Sequence, residues 1–292
     1  MGFLRTLFTA CEETEEEKKE HEEKSQFDIF KYDGIQALRM GQVDYAIACF
    51  EHALDIKDDT ETQQFYAGTL MQKGDLEGAA EAFEELNRME DGSNVETLLT
   101  LANIYFQQED YVKMEEMCDA AIARDGALAA PYYYKACMQN AQNDLLNAVA
   151  SVTIAISKRE DFNNAYLLRA KILCRMQQFA EAEKDIDRLL DTDGQESDDE
   201  IVMMKAEICE VLGKKEDAKT FYRKVIELNP YATRAYLQLG NILHEEGNSK
   251  EAAALMEEGL KLAPEEMQNI TGEYTNFEKK MQDAYDAINP FR

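Results

Sequence analysis

The sequence predicts an all-α chain in which helix-turn-helix units of similar length stack one on another, and three observations carry that prediction. Proline is scarce, four residues in 292, while Ala, Leu, Glu, Lys, Gln and Met dominate, the residues that lose least on entering a helix. Small residues recur in phase: stepping back from Gly240 by 34, 36, 34, 34, 35 and 33 positions lands on Ala206, Ala170, Ala136, Ala102, Ala67 and Gly34. A second column, twelve positions further on, reads Ala46, Ala79, Met114, Ala148, Ala182, Ala218 and Ala252. Two small columns at constant separation mark close helix crossings, since a larger side chain would force the axes apart.

Composition sets the outer bounds. With 45% apolar residues the chain can bury a sizeable core. A formal net charge of −28 repels phosphate backbones, so nucleic acid is excluded as an expected partner and basic or neutral partners are favoured. The six cysteines, at 11, 49, 118, 137, 174 and 209, show no CxxC and no metal-ligand spacing. They read as small buried thiols of a reducing compartment, which places the protein in the cytoplasm. No apolar run approaches the ~20 residues that span a bilayer.

The first segment, residues 1–26, combines a short apolar start with a charged, acidic stretch. MGFLRTLFTAC carries an N-myristoylation pattern at Gly2 to Thr6, a cysteine at 11, and Phe3, Leu4, Leu7 and Phe8 on one short face. A signal peptide is excluded by length. The expectation is a loose or cap-forming terminus, with membrane contact through residues 1–11 as the alternative. EETEEEKKEHEEK then reads as a solvated charged helix or tether, whose acidic excess disfavours anionic lipid.

From about residue 27 to 266 seven units follow, starting near 27, 60, 95, 129, 163, 199 and 233. In each, the first helix carries the first small column and the second helix carries the other. On a first helix, positions three before, one after and four after the small residue share one face, the inner stripe. The first unit thus presents Lys31, Ile35 and Leu38, with Tyr32 beside them, and turns at Gly41. The second presents Gln64, Gly68 and Met71 beside Phe65 and turns at Gly74; the third presents Leu99, Asn103 and Phe106 and turns at Glu109. The fourth gives Tyr133, Cys137 and Asn140 beside Tyr134, with Asn143 at its turn. The fifth gives Leu167, Lys171 and Cys174, where Lys171 and Arg175 form a basic spot, and turns at Gln177. The sixth gives Met203, Glu207 and Glu210 before Gly213, and the seventh Leu237, Asn241 and His244 before Gly247. Glycine at four of these turns supports a helix C-cap. Second helices fill the core at helical spacing with Phe50, Phe83, Cys118, Val152, Ile186, Tyr222 and Met256. Pro230 and Pro264 stop the last two units; earlier ones end at Asp58, Asp91 or Gly126.

The final segment, residues 267–292, places Met267, Ile270, Tyr274, Phe277, Met281, Ala284 and Ile288 along one helical stripe. It is expected to cap the last unit, with self-association through this helix as the other reading.

The pattern of small, aromatic and terminal-proline positions, clearest in YLQLGNILHEEGNSKEAAALMEEGLKLAP at 236–264, resembles the tetratricopeptide repeat family, whose unit is a helix-turn-helix of ~34 residues. The resemblance implies a right-handed α-α superhelix, a solenoid with a concave wall made mainly by first helices, and that wall is the family's usual binding surface. A partner-binding groove would then consist of Lys31, Tyr32, Ile35, Gln64, Phe65, Leu99, Asn103, Phe106, Tyr133, Tyr134, Leu167, Lys171, Arg175, Met203, Leu237, Asn241 and His244. Such a mixed groove would hold an extended or helical peptide by apolar contact, with Asn side chains available to its backbone. The carboxylate clamp of the family's chaperone-tail binders is incomplete here, because Lys31 is followed one turn on by Ile35, and Asn103 and Asn241 are preceded by Leu99 and Leu237.

Catalysis is not expected. There is no GxxxxGK[ST], GxGxxG or HExxH, and of the only histidines, His21, His52 and His244, His52 falls on a second helix and His244 on a first. The acidic loop 191–200 has the ligand type calcium prefers, but its glycine is misplaced for a calcium loop, so no metal and no cofactor is expected. The function that follows is a non-catalytic interaction scaffold or adaptor with a protein or peptide partner; the alternative is a peripheral membrane organiser anchored through residues 1–11.

Overall fold

The computed structural model describes residues 14–192 and 198–262, so the segments 1–13 and 263–292, with the N-terminal and C-terminal expectations attached to them, and residues 193–197 of the acidic loop lie outside the described residues. Among the described residues there are fourteen α-helices and no strand. The all-α class expected from the sequence is what the chain adopts.

Two compact units divide the molecule. The first contains residues 1–142 with 157–159, and the second residues 143–156 with 160–292. In the first unit, α1 (Glu15–Arg39) packs on α2 (Val43–Ile56), α3 (Thr60–Lys73) on α4 (Leu76–Met89), and α5 (Val95–Gln107) on α6 (Tyr111–Arg124), followed by α7 (Ala130–Ala141). Each second helix also packs on the next first helix, while α1 touches α3 and α5 touches α7, so first helices lie side by side as a wall. The second unit holds most of α8 (Leu145–Lys158), then α9 (Asn163–Arg175) on α10 (Phe179–Leu190), α11 (Asp199–Val211) on α12 (Lys215–Leu228) and α13 (Thr233–Glu245) on α14 (Ser249–Leu262).

The helices begin and end where local chemistry dictates. Thr14 and Glu17 form a reciprocal capping box: the Glu17 amide donates to Thr14 Oγ1 at 3.2 Å and the Thr14 amide to Glu17 Oε2 at 2.7 Å. From that cap α1 runs through residues 26 and 27 without a break, so the charged stretch is continuous with the first helix of the first hairpin. Asp59, Asp75, Asn94, Asp110 and Asp198 cap α3, α4, α5, α6 and α11 by accepting backbone amides of the first turn. At the expected turn positions the backbone is left-handed throughout: φ is 72°, 84°, 73° and 83° at Gly41, Gly74, Gly213 and Gly247, and 59°, 63° and 60° at Glu109, Asn143 and Gln177. The turn demands one conformation whether or not glycine supplies it.

The two small columns lie in the core. Ala67, Ala102, Ala136, Ala170 and Ala206 are fully buried, as are Ala46, Ala79, Met114, Ala148, Ala182 and Ala218. At Gly34 the approach is closest: a Cβ there would lie 2.6 Å from the Phe50 ring. Phe50 is itself fully buried and stacks on Phe65 with ring centroids 5.8 Å apart, a burial that contributes roughly 2–3 kcal/mol.

Polar ties link neighbouring helices, most of them between successive hairpins and one within a hairpin. Lys31 on α1 reaches Asp59 and Glu61 at the head of α3, and Lys113 on α6 reaches Glu84 on α4, which also accepts from the Tyr105 hydroxyl. In the second unit Lys205, buried on α11, bridges Glu183 and Asp187 of α10 at 2.9 and 2.5 Å; Lys214 reaches Glu183, and Lys219 reaches Glu246. Arg169 on α9 makes a two-pronged pair with Asp185 on α10, Nε to Oδ2 at 2.8 Å and Nη2 to Oδ1 at 2.6 Å.

Candidate functional site

None of the seventeen residues expected to line a groove is buried: Tyr32, Gln64, Arg175 and His244 are exposed and the others half-buried. Their surroundings divide them into groups. Ile35 and Phe65 pack against the Ala37, Ala46 and Phe50 cluster, Phe106 and Tyr134 against the large core of the first unit, Met203 against the core around Tyr222, and Leu237 against Tyr236 and Met256.

The cations on the inner face are held by carboxylates or amides. Lys31 Nζ lies 2.9 Å from Asp59 Oδ2 and 2.6 Å from Glu61 Oε2, and 5.6 Å from the Phe27 ring centroid. Burial works against its charge, and the hydrogen bonds to Glu61 and Asp59 outweigh it, so the ammonium sits above its ordinary range. Lys171 pairs with Glu200 at 2.6 Å, and Arg175 donates to Asn143 Oδ1 at 2.7 Å. Of the basic spot that sequence placed there, Lys171 is thus paired with a carboxylate.

Three of the expected residues converge in the first unit. Leu99, Asn103 and Tyr134 line a depression of about 340 Å³ between α3, α5 and α7. Met71 and Val95 complete its apolar wall, while Glu96 and Thr100 edge it. The Thr100 hydroxyl is turned into its own helix, donating to the Glu96 carbonyl at 2.9 Å. The half-buried Asn103 amide is left facing an apolar recess, and an amide can both donate to and accept from a backbone laid against it.

A second recess, of about 270 Å³, opens in the second unit among α9 to α13. Glu207 and Glu210, three residues apart on α11, face it together with Arg234 of α13, and Phe179, Met204, Ile208 and Val211 give it an apolar surround. Glu210 Oε2 accepts from the Tyr222 hydroxyl at 2.5 Å. Arg234 Nη2 stands 2.8 Å from Glu207 Oε1, yet that oxygen, shielded from solvent, accepts no hydrogen bond. Burial raises the Glu207 carboxyl above the usual range; Arg234 opposes the shift and Glu210 adds to it. Sequence reasoning placed Glu207, Glu210 and Cys174 on the inner stripe but missed Arg234, Met204, Ile208 and Gln238. Met204, Ile208 and Gln238 lie one position off the stripe and Arg234 three before Leu237, and five helices must be superposed before they meet.

Among the described residues no group of three or more His, Cys, Asp or Glu side chains is arranged to hold a metal ion, and no helix is long and apolar enough to cross a membrane. The five described cysteines are free, and burial pushes every thiol up, Cys118 to about 12 and Cys137 to about 11, the reverse of what a nucleophilic thiol needs.

Helix pairs of this length, small columns at the crossings and a left-handed turn in each hairpin define a helical-repeat protein. The chain carries tetratricopeptide repeats over part of its length: the family model described as tetratricopeptide repeat matches residues 199–231 and 233–266, which take in the helix pairs α11–α12 and α13–α14. Solved structures agree in fold. The C-terminal part of a tetratricopeptide repeat-containing protein from Cytophaga hutchinsonii superposes with a TM-score of 0.67 at 13% identity, over 82% of this chain and 98% of that part. YrrB, described as having an unusual peptide-binding site, superposes with a TM-score of 0.57 at 17% identity, over 67% of this chain and all of YrrB. PilW, a type IV pilus biogenesis factor, gives 0.59 at 19% identity, over 72% and 97%. No curated protein sequence matches significantly.

Proposed function

We propose that this protein is a non-catalytic scaffold or adaptor of the cytoplasm that binds a peptide or helical segment of a partner on the inner face of its first helices. One observation carries the reading: the depression lined by Leu99, Asn103 and Tyr134 joins an apolar wall to an amide able to bond a backbone, on helices that are rigidly packed behind it. The peptide-binding site described for YrrB lends it support from a protein of the same fold. Free, raised-pKa thiols fit a reducing compartment. The set of seven units over 27–266 belongs to the same proposal.

The test is capture of partners by the full-length chain compared with a Leu99→Asp, Asn103→Ala variant of unchanged helicity. A partner lost with the variant supports the assignment. Identical captures reject the depression as the binding site.

A further inference from the structure

We infer that the recess on α11 in the second unit is a seat for an arginine side chain of a partner polypeptide, and that the protein's own Arg234 occupies part of that seat in the free state. The inference rests on the reading of the chain as a protein-binding scaffold, but it concerns a different unit and a different chemistry from the apolar depression around Leu99.

Charge and shape select the ligand. Two carboxylates, Glu207 and Glu210, face the recess against one cation, so an uncompensated negative charge remains in a half-buried place. Oε1 of Glu207 is out of contact with solvent and accepts no hydrogen bond, although a buried carboxylate oxygen without a donor is a costly arrangement. Arg234 approaches to 2.8 Å without the alignment of a hydrogen bond, and its side chain is 68% exposed. It screens the carboxylate from the rim without filling the recess.

A guanidinium fits better than an ammonium. It presents five donors in a planar fork to carboxylates one helical turn apart, and being weakly hydrated it is less costly to desolvate. Met204, Ile208 and Phe179 supply the apolar surface along which an alkyl stem can lie. At about 270 Å³ the recess falls just below the size of small-molecule and cofactor pockets, which suits a single inserted side chain. An incoming arginine displaces Arg234, which is free to swing outward because it is already largely in water.

The experiment uses the full-length chain with labelled Met and Ile methyl groups, titrated by NMR with N-acetyl-L-arginine amide and with its neutral isostere N-acetyl-L-citrulline amide. The arginine probe is expected to shift the Met204 and Ile208 methyls saturably, and the citrulline probe to bind about ten-fold more weakly, the worth of one charge-assisted hydrogen bond. Glu207→Gln is expected to weaken the arginine probe by about ten-fold while leaving helicity intact, and Arg234→Gln to tighten it several-fold. Leu99→Asp leaves this titration unchanged, so failure here and failure of the groove assignment are separable. Equal binding of the two probes, absence of methyl shifts, or no effect of Glu207→Gln overturns the seat. A loss from the exposed Glu258→Gln as large as that from Glu207→Gln does so too, since it reveals only diffuse attraction to an acidic surface. No tightening by Arg234→Gln overturns the role of Arg234.

Discussion

Gly34 and Gly240 stand in the same column, yet a methyl group means something different at each. At Gly34 the new Cβ meets three atoms of the Phe50 ring within 2.9 Å, and that ring is locked by full burial. Gly34→Ala is expected to destabilise by about 2 kcal/mol, overpacking outweighing the gain in helix propensity. At Gly240 the nearest atom is the Met256 sulfur at 3.1 Å, the flexible part of a side chain that can rotate away. Gly240→Ala is therefore expected to fall within about 0.5 kcal/mol of the parent. Chemical denaturation of the two variants side by side checks both. The turn column gives the complementary case: Gln177 holds φ at 60°, and Gln177→Gly is expected to raise stability by about 1 kcal/mol by removing left-handed strain. The small columns and the turn positions were legible because a fixed phase repeats them. The difference between Gly34 and Gly240 was not, because it depends on which side chain the next helix places opposite.

At the scale of elements, the ties between hairpins govern the response to acid. Burial alone would raise the Asp59 carboxyl, but hydrogen bonds from Lys31 and Thr62 overcome it and hold the group at about 2. Its folded value lies below the ~3.9 of an unfolded aspartate, so its stabilisation is fully present above about pH 4 and is lost as pH falls through about 2. The stability difference between the parent and Asp59→Asn should shrink steadily over that interval; a difference that stays constant from pH 5 to pH 2 contradicts the pairing. The partner ammonium has the opposite sign: the contribution of Lys31 persists below its unfolded value of ~10.5 and fades as pH rises through its raised folded value. Within the α9–α10 hairpin, Asp185 is 7% exposed and gripped by Arg169; Asp185→Ala is expected to cost about 2 kcal/mol in thermal or urea unfolding. The pairing of Lys31, Lys171 and Arg175 is not visible within a single unit. Their partners sit 28 to 32 residues away, one unit along the chain; for Lys31 and Lys171 opposite charges at that separation are a usable signal, whereas the Asn143 amide that meets Arg175 carries none. The continuity of α1 was likewise readable, since Thr14 and Glu17 spell a capping box ahead of the unit boundary that the repeat phase suggested.

For the whole molecule the dominant electrostatic fact is excess: 59 acidic residues face 31 basic ones. Many of the lysines and arginines already serve in pairs, so the surplus carboxylates repel one another across the surface. Screening then relieves more repulsion than it removes attraction, because exposed ion pairs are each worth only about 0–1 kcal/mol. The melting temperature is expected to rise between 10 mM and 300 mM NaCl, scales set by Debye lengths of about 30 Å and under 10 Å. A fall would mean that the ties between hairpins outweigh the net charge. The all-α class and the succession of hairpins were legible over the described residues, because periodicity speaks for every unit at once. The recess at Glu207 was not, since it exists only where five helices with unlike side chains come together.

The uninterrupted course of α1 has a mechanical side. Residues 15–26 are exposed at every position, and Phe27 is the first to be buried. Twelve helical residues rise about 18 Å, so the capping box at Thr14 fixes the tip of a stiff lever whose fulcrum is the packed half of the same helix. A small rotation of α1 against α2 is magnified at that tip, and a spectroscopic label placed at Glu16 would register a ligand settling on the first unit through angle alone, without touching it.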